Sequence, residues 1–257
     1  MRLLKYSLIA AVLLIFTFPV SAAWLDPSFD FRTIETEHFR VHFHQGLDGL
    51  AEKTAIYAEE AYCVLTGPYN WKPKGKTEIA LVDKSDFANG LTTVVPYNTI
   101  YLYPVPPMSD SMLSRYDDWL RVLVFHEYAH VLSMDPVRGY SKALRKIFGK
   151  TYPGTDALSA SLFLLTAPPN ILLPYWWIEG TATWAETEFN PMGRGKGTYY
   201  EMIFRMAVAE GRLLSVDLLN GEIPYWPDGH TPYIYGLALK RHLSKRYGKD
   251  IPGRLST

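Results

Sequence analysis

The stretch Ser114–Met134, SRYDDWLRVLVFHEYAHVLSM, is the clearest helix in the chain, and it carries two of the seven histidines. Ser114 suits the cap position, Asp117 and Asp118 favour the positive N-terminal end, and Pro136 closes the segment. Residues four apart on an α-helix are rotated by about 40°, so His126 and His130 project from one face, one turn apart. Both imidazoles can then reach a single Zn²⁺, which for catalysis needs three protein ligands and an open position. Glu127 flanks the same face, offset so that it misses the metal and can meet a metal-bound water. In a chain of this composition, such a string arises by chance in roughly one protein in a hundred. A second signal is required.

The segment WWIEGTATWAE, Trp176–Glu186, supplies it. Glu179 falls in a helix that begins after Pro174, and Glu186 lies about two turns further on the same face. Read alone, Glu179 is a surface helix glutamate in a tryptophan-rich setting. With His126-Glu127-x-x-His130 upstream, the pair of segments resembles the gluzincin metallopeptidases. Their third ligand sits in Trp-x-x-Glu-Gly-x-Ala-x-x-x-Glu, matched here by Trp176, Glu179, Gly180, Ala182 and Glu186. The resemblance implies that Glu179 is the third zinc ligand and that Glu186 orients a ligand histidine. A third segment, PYIYGLAL (Pro232–Leu239), is similar to a stretch of the zinc aminopeptidases whose tyrosine donates to the oxyanion of the tetrahedral intermediate. The matching residue is Tyr233, with Tyr235 and His230 close enough to take that part instead.

The resemblance has limits that narrow what it implies. No Gly-x-Met-Glu-Asn string, the aminopeptidase loop for a free amino terminus, occurs in the chain. The spacer between His130 and Glu179, the 48 residues numbered 131–178, is much longer than in those enzymes. The long apolar insert is better matched by the bacterial peptidase MA-like proteins, which share the early strands, an Asn-Gly turn (here Asn89-Gly90) before an edge strand, and Leu-Pro-x-Trp (Leu173–Trp176) before the glutamate. The resemblance therefore implies a zincin-like fold and a Zn²⁺-dependent hydrolase of peptide or protein substrates, in which Glu127 moves the proton and Tyr233 steadies the oxyanion. An inactive zinc- or peptide-binding module, or an envelope-complex scaffold docking through the apolar 155–175 segment, remains the alternative. Some of those proteins carry a C-terminal β-propeller, which would suit a chain whose last residues, GKDIPGRLST, read as the start of a further element.

Elsewhere the pattern is strands first and helices afterwards, which indicates an α+β architecture. FRTIETEHFRVHF (Phe31–Phe43) alternates as one or two strands, and Lys76–Asp83 and Thr99–Val105 read as two more. The prolines ending the last of these, Pro104, Pro106 and Pro107, suit a sheet edge, where an extended substrate could add as a strand. A helix spaced through Leu50, Tyr57, Ala61 and Leu65 should stop at Gly67-Pro68. The apolar run 155–177 is broken by Pro168, Pro169 and Pro174, too interrupted to span a membrane, and reads as a helix or hairpin that covers the cleft or packs on the core. The expected organisation is one peptidase domain over 23–257, β-rich to about 112 and helical from about 113.

Formal net charge is zero and no basic block occurs, so nucleic acid is excluded as a partner. Residues 1–22 read as an export signal: Arg2 and Lys5, an apolar run from Leu8 to Phe18, then small residues Ser21, Ala22 and Ala23 at a cleavage point. Removal of that segment leaves no membrane span; a retained transmembrane anchor, for which the apolar run is somewhat short, is the alternative. The single cysteine, Cys63, excludes an intrachain disulfide and reads as a small buried hydrophobe, and no Asn-x-Ser/Thr site occurs. An exported chain with neither feature fits a bacterial periplasm or secretion from bacteria.

Overall fold

Short runs of alternating apolar residues build a sheet with one apolar face. The computed structural model describes residues 26–84, 86–108, 117–221 and 223–256. Its strands are β1 (Phe31–Glu35), β2 (Phe39–His44), β3 (Thr77–Leu81), β4 (Asn89–Thr93) and β5 (Thr99–Tyr103), in the order β1-β2-β3-β5-β4. The β1–β2 and β4–β5 pairs are antiparallel, whereas β2–β3 and β3–β5 are parallel, with Val41 opposite Ile79 and Ile79 opposite Ile100. Phe39, Val41, Phe43, Ile79, Leu81, Ile100 and Leu102 all point into the core. The opposite face is polar, where Glu78 accepts from Arg40 (3.0 Å) and contacts His42 (2.8 Å). That alternation follows from the two-residue period of a strand.

Helix α1 (Asp48–Tyr69) provides the crossover between β2 and β3, and α2 (Trp119–Met134) lies against α1 and the sheet. The helical part continues with α3 (Gly139–Phe148), α4 (Ala157–Thr166), α5 (Tyr175–Glu188), α6 (Thr198–Ala209), α7 (Thr231–Tyr247) and the single turn α8 (Ile251–Arg254). Helix α2 is buried from Trp119 to Ser133 at every residue but Arg121, because α1 and the sheet flank it on one side and α5 on another. It starts at Asp118, whose side chain accepts from Arg121 N (3.1 Å). The expected cap, Ser114, lies outside the described residues.

The sheet and helices belong to one unit, Phe31–Thr257, separate from Met1–Asp30. Of that first unit only Asp26–Asp30 is described, a turn in which Ser28 N donates to Asp26 Oδ1 (2.8 Å). The expected export signal, 1–22, lies outside the described residues. Among the described residues no helix is long and apolar enough to cross a membrane.

Several expectations are corrected. Thr99–Val105 is not the edge: β5 is an inner strand, and β4 pairs along its outer side. Asn89-Gly90 is not a turn but the start of β4, opposite Tyr103 and Leu102. The proline cluster marks the end of β5 rather than its place in the sheet, since none of those prolines falls within the paired residues. Helix α1 runs through Gly67-Pro68 and ends where Asn70 turns left-handed (φ 49°), its N–H bonding Gly67 O (2.9 Å). A proline in the last turn removes only one hydrogen bond, so it does not stop the helix. The buried face of α1 is a small-residue stripe, Ala51, Ala55, Ala58 and Ala61, while Leu50 and Tyr57 are half-buried. Cys63 is exposed on the far side of the same helix. Of the apolar insert only Tyr175, at its end, lines the cleft described below, and α4 is mostly open to solvent.

Helices α5 and α7 touch backbone to backbone. A Cβ on Gly236 would lie 2.4 Å from Trp176 O, and one on Gly180 would lie 2.5 Å from Gly236 Cα. Neither contact can relax by moving a side chain. Gly236→Ala is therefore expected to lower unfolding stability by about 3 kcal/mol in urea titration, the upper end of overpacking costs. Gly49→Ala, where a Cβ meets nothing within 4 Å, should leave it unchanged or slightly raised.

Candidate metal centre

The crossing of α2 and α5 brings three donor atoms together. His126 Nε2 lies 3.1 Å from His130 Nε2 and 3.2 Å from Glu179 Oε2, and His130 Nε2 lies 3.5 Å from the same oxygen. One turn of α2 sets the histidine pair, and the close approach that Gly180 and Gly236 permit holds α5 in place against α7. All three side chains are buried, and the group could hold a metal ion.

Glu186, two turns beyond Glu179 on α5, is completely buried behind His126, with Oε2 at 2.9 Å from Nδ1. Arg194, at the start of a 3₁₀ turn (Arg194–Lys196), grips that carboxylate: Nε donates to Oε1 (2.7 Å), Nη2 to Oε2 (2.8 Å) and the backbone N–H to Oε1 (3.0 Å). Burial alone would raise the Glu186 pKa. The Arg194 charge and the bonds from His126 and Arg194 overcome it and hold the carboxyl at about 2. Glu179 behaves alike: burial raises it, but the charge of His130 and bonds from both histidines hold it well below the usual carboxylate range. For His126, burial and Arg194 press the pKa down, yet Glu179 and Glu186 lift it to about 9. Negative charge this concentrated around an imidazole favours a cation. His130 Nδ1 has no partner among the described residues, so only one of the two histidines is oriented from behind.

Glu186→Gln keeps the shape but loses the charge that fixes the His126 ring and pairs Arg194. It is expected to weaken metal affinity about 10- to 100-fold, read by competition with a chromogenic chelator. Unchanged affinity would show that the Glu186–His126 contact does not support the ligand.

Glu127 is buried beside the cluster and leans on the sheet edge. Thr92 Oγ1, on β4, donates to its Oε2 (2.7 Å). A Cβ on Gly90 would sit 2.3 Å from Glu127 Oε1, so only glycine leaves room for the carboxylate there. These groups border a cleft of about 630 Å³ between β4, α2, α5 and the start of α7, whose apolar lining includes Leu91, Val122, Leu123 and Ile178.

Tyr233, on the first turn of α7, stacks near His126 (ring centroids 6.2 Å, 28° between planes). Its hydroxyl lies 3.2 Å from that of Tyr175, and the Arg194 guanidinium sits over its ring, 4.8 Å from the centroid. Burial, with Glu179 close by, pushes its pKa far up, so the phenol stays protonated. His230 also lines the cleft, where burial lowers its pKa. Tyr235 faces the other way, with its ring against Phe204 and its hydroxyl accepting from Leu214 N (3.4 Å), which removes it as a cleft donor.

Sequence reading missed Thr92, Gly90, Tyr175 and Arg194. The only local hint for Arg194 is its setting, Gly193-Arg194-Gly195; a Cβ on Gly193 would clash with Glu186 O at 2.1 Å. Thr92 gave no signal and Gly90 read as half of an Asn-Gly turn, because their role depends on which strand lies outermost. No family model and no curated protein sequence matches the chain.

Proposed function

We propose that the chain is a zinc-dependent peptidase with a zincin-like fold, a gluzincin related to the peptidase MA-like proteins. The observation that carries this reading is the convergence of His126, His130 and Glu179 beside a buried Glu127 at the wall of an open cleft. Two imidazole nitrogens and one carboxylate oxygen are a donor set of catalytic zinc. Bonds of 2.0–2.1 Å in a tetrahedron put ligand atoms about 3.4 Å apart, and the three separations here are 3.1, 3.2 and 3.5 Å. Zinc held there would make a water nucleophilic at neutral pH and polarise a substrate carbonyl.

The remaining work falls to the chain. Glu127 takes the proton of the attacking water and returns it to the leaving amine, a role that needs a fixed carboxylate. Thr92 and the tight space at Gly90 fix it. Tyr233, kept protonated, donates to the oxyanion as charge develops on the carbonyl oxygen. The outer edge of β4, rather than of β5, is where an extended peptide would add as a further strand. The apolar lining favours apolar side chains beside the scissile bond. Export to a bacterial periplasm belongs to the same proposal and rests on residues 1–22 alone.

Metal analysis of the purified chain should find about one zinc per molecule, and cleavage of a peptide library should stop on chelation and return with added zinc. Cleavage that survives complete metal removal would defeat the reading, as would a purified chain that binds no zinc under titration.

A further inference from the structure

Helix α3 turns Ser141, Leu144 and Arg145 toward the fold and leaves most of its apolar side outward. Its Arg145 reaches back to Asp135, donating to the backbone oxygen (3.0 Å) and to Oδ1 (3.3 Å), and Lys150, just past the helix, reaches the same Oδ1 (2.6 Å). Trp71 Nε1 donates to the other oxygen of Asp135 (3.0 Å), a residue that is itself buried. The apolar side of α3 is thereby left facing water: Tyr140 is 69%, Ile147 74% and Phe148 51% exposed. Helix α4, which packs on α3, and the 3₁₀ turn after it (Pro169–Leu172) add Leu158, Leu164 and Leu172, at 71%, 76% and 82%. No residue of α3 is buried, and of α4 only Thr166. An ordinary surface helix turns such a stripe toward the core.

The charge on this region is equally one-sided. Across 136–174 there are five basic residues and one acidic, in a chain whose net charge is zero. Arg145 and Lys150 hold Asp135, whereas Arg138, Lys142 and Lys146 are exposed and pair with no carboxylate among the described residues. The acid, Asp156, is occupied as the cap of α4, accepting from Ser159 N (2.9 Å). A second copy docked by a two-fold axis would set this basic region against itself. A surface that accepts both apolar side chains and cations is the headgroup layer of an anionic bilayer.

We propose that α3, α4 and the turn after them form a docking face for an anionic membrane surface. Ile147, Phe148, Leu158 and Leu164 enter the boundary of the acyl chains, Tyr140 sits at headgroup level, and Arg138, Lys142 and Lys146 snorkel to lipid phosphates. The face holds the cleft of a peptidase near the membrane but does not depend on the zinc reading.

Cys63 is the sole cysteine, so a chain with Cys63→Ser and Ile147→Cys carries one environment-sensitive fluorophore on the face, and Cys63→Ser with Ile56→Cys, another exposed site, is the control. With vesicles of phosphatidylcholine containing about 30% phosphatidylglycerol, the label at 147 should shift to the blue and brighten, and pure phosphatidylcholine should do much less. Lys142→Glu with Lys146→Glu should weaken the response about tenfold or more, and high salt should weaken it too. The label at 56 should not respond. Because all these positions are exposed, thermal unfolding should not change. A silent label at 147, an equal response at 56, or a response untouched by charge reversal overturns the proposal. A shift that appears without lipid as protein concentration rises assigns the face to a second copy and overturns it as well.

Discussion

Glu127→Gln is expected to lower kcat for peptide cleavage by about a thousandfold while bound zinc stays near the wild-type amount. The amide keeps the shape of the side chain, and its oxygen can still accept the 2.7 Å bond from Thr92 Oγ1. What it cannot do is take a proton from water. The backbone at Gly90 lies against the side chain on one side, and the Thr92 bond holds it from β4 in either form. The variant therefore separates chemistry from architecture. Loss of turnover with zinc retained supports a proton-transfer role, whereas full turnover would remove Glu127 from the mechanism. If turnover is absent from both forms and zinc is present in both, the chain is a binding module on the same scaffold.

Lys240→Met is expected to stabilise the protein by on the order of 3 kcal/mol at pH 7 and to flatten its pH dependence. Lys240, on α7, has no exposed surface, and its Nζ has no hydrogen-bond partner among the described residues. Burial pushes its pKa down to about 6. In the unfolded chain a lysine titrates near 10.4, so at pH 7 folding must remove a proton that the unfolded state keeps, at about 1.4 kcal/mol per unit of difference. The face of Trp177, 2.9 Å from Nζ to the ring centroid, favours the charged form; it acts by drawing the folded pKa back up, which reduces that cost by about 1–2 kcal/mol. The sign follows from proton counting. Between pH 6 and about 10.4 the unfolded state binds more protons, so this residue makes stability rise with pH. Below pH 6 both states are protonated and the full penalty remains. Chemical denaturation at several pH values should show that slope in the wild type and a shallower one in Lys240→Met. Equal slopes would mean that Lys240 keeps its proton in the folded chain, stabilised by Trp177.

Local spacing was enough to place His126, Glu127 and His130 together, because one turn of helix decides it. The same holds for Glu179 and Glu186 on α5, and for the alternating Phe39, Val41 and Phe43. The α+β class, a small sheet followed by helices, also follows from the order of these periodic segments. The segments that misled were those whose meaning lies in a neighbour. Thr99–Tyr103 has the composition and flanking prolines of an edge strand, yet β4 covers it, since strand order is set by pairing across the sheet.

Sequence alone thus determined which groups share a helix face: the two histidines, and separately the two glutamates. Only the tertiary structure decided that these faces meet, with donor atoms 3.1–3.5 Å apart. It also decided that Arg194 secures Glu186, that Thr92 and Gly90 confine Glu127, and that the apolar stripe of α3 points outward. The physical reason is range. Backbone periodicity is fixed by neighbours within a turn or two, whereas the meeting of α2 with α5 depends on contacts between residues more than 50 positions apart.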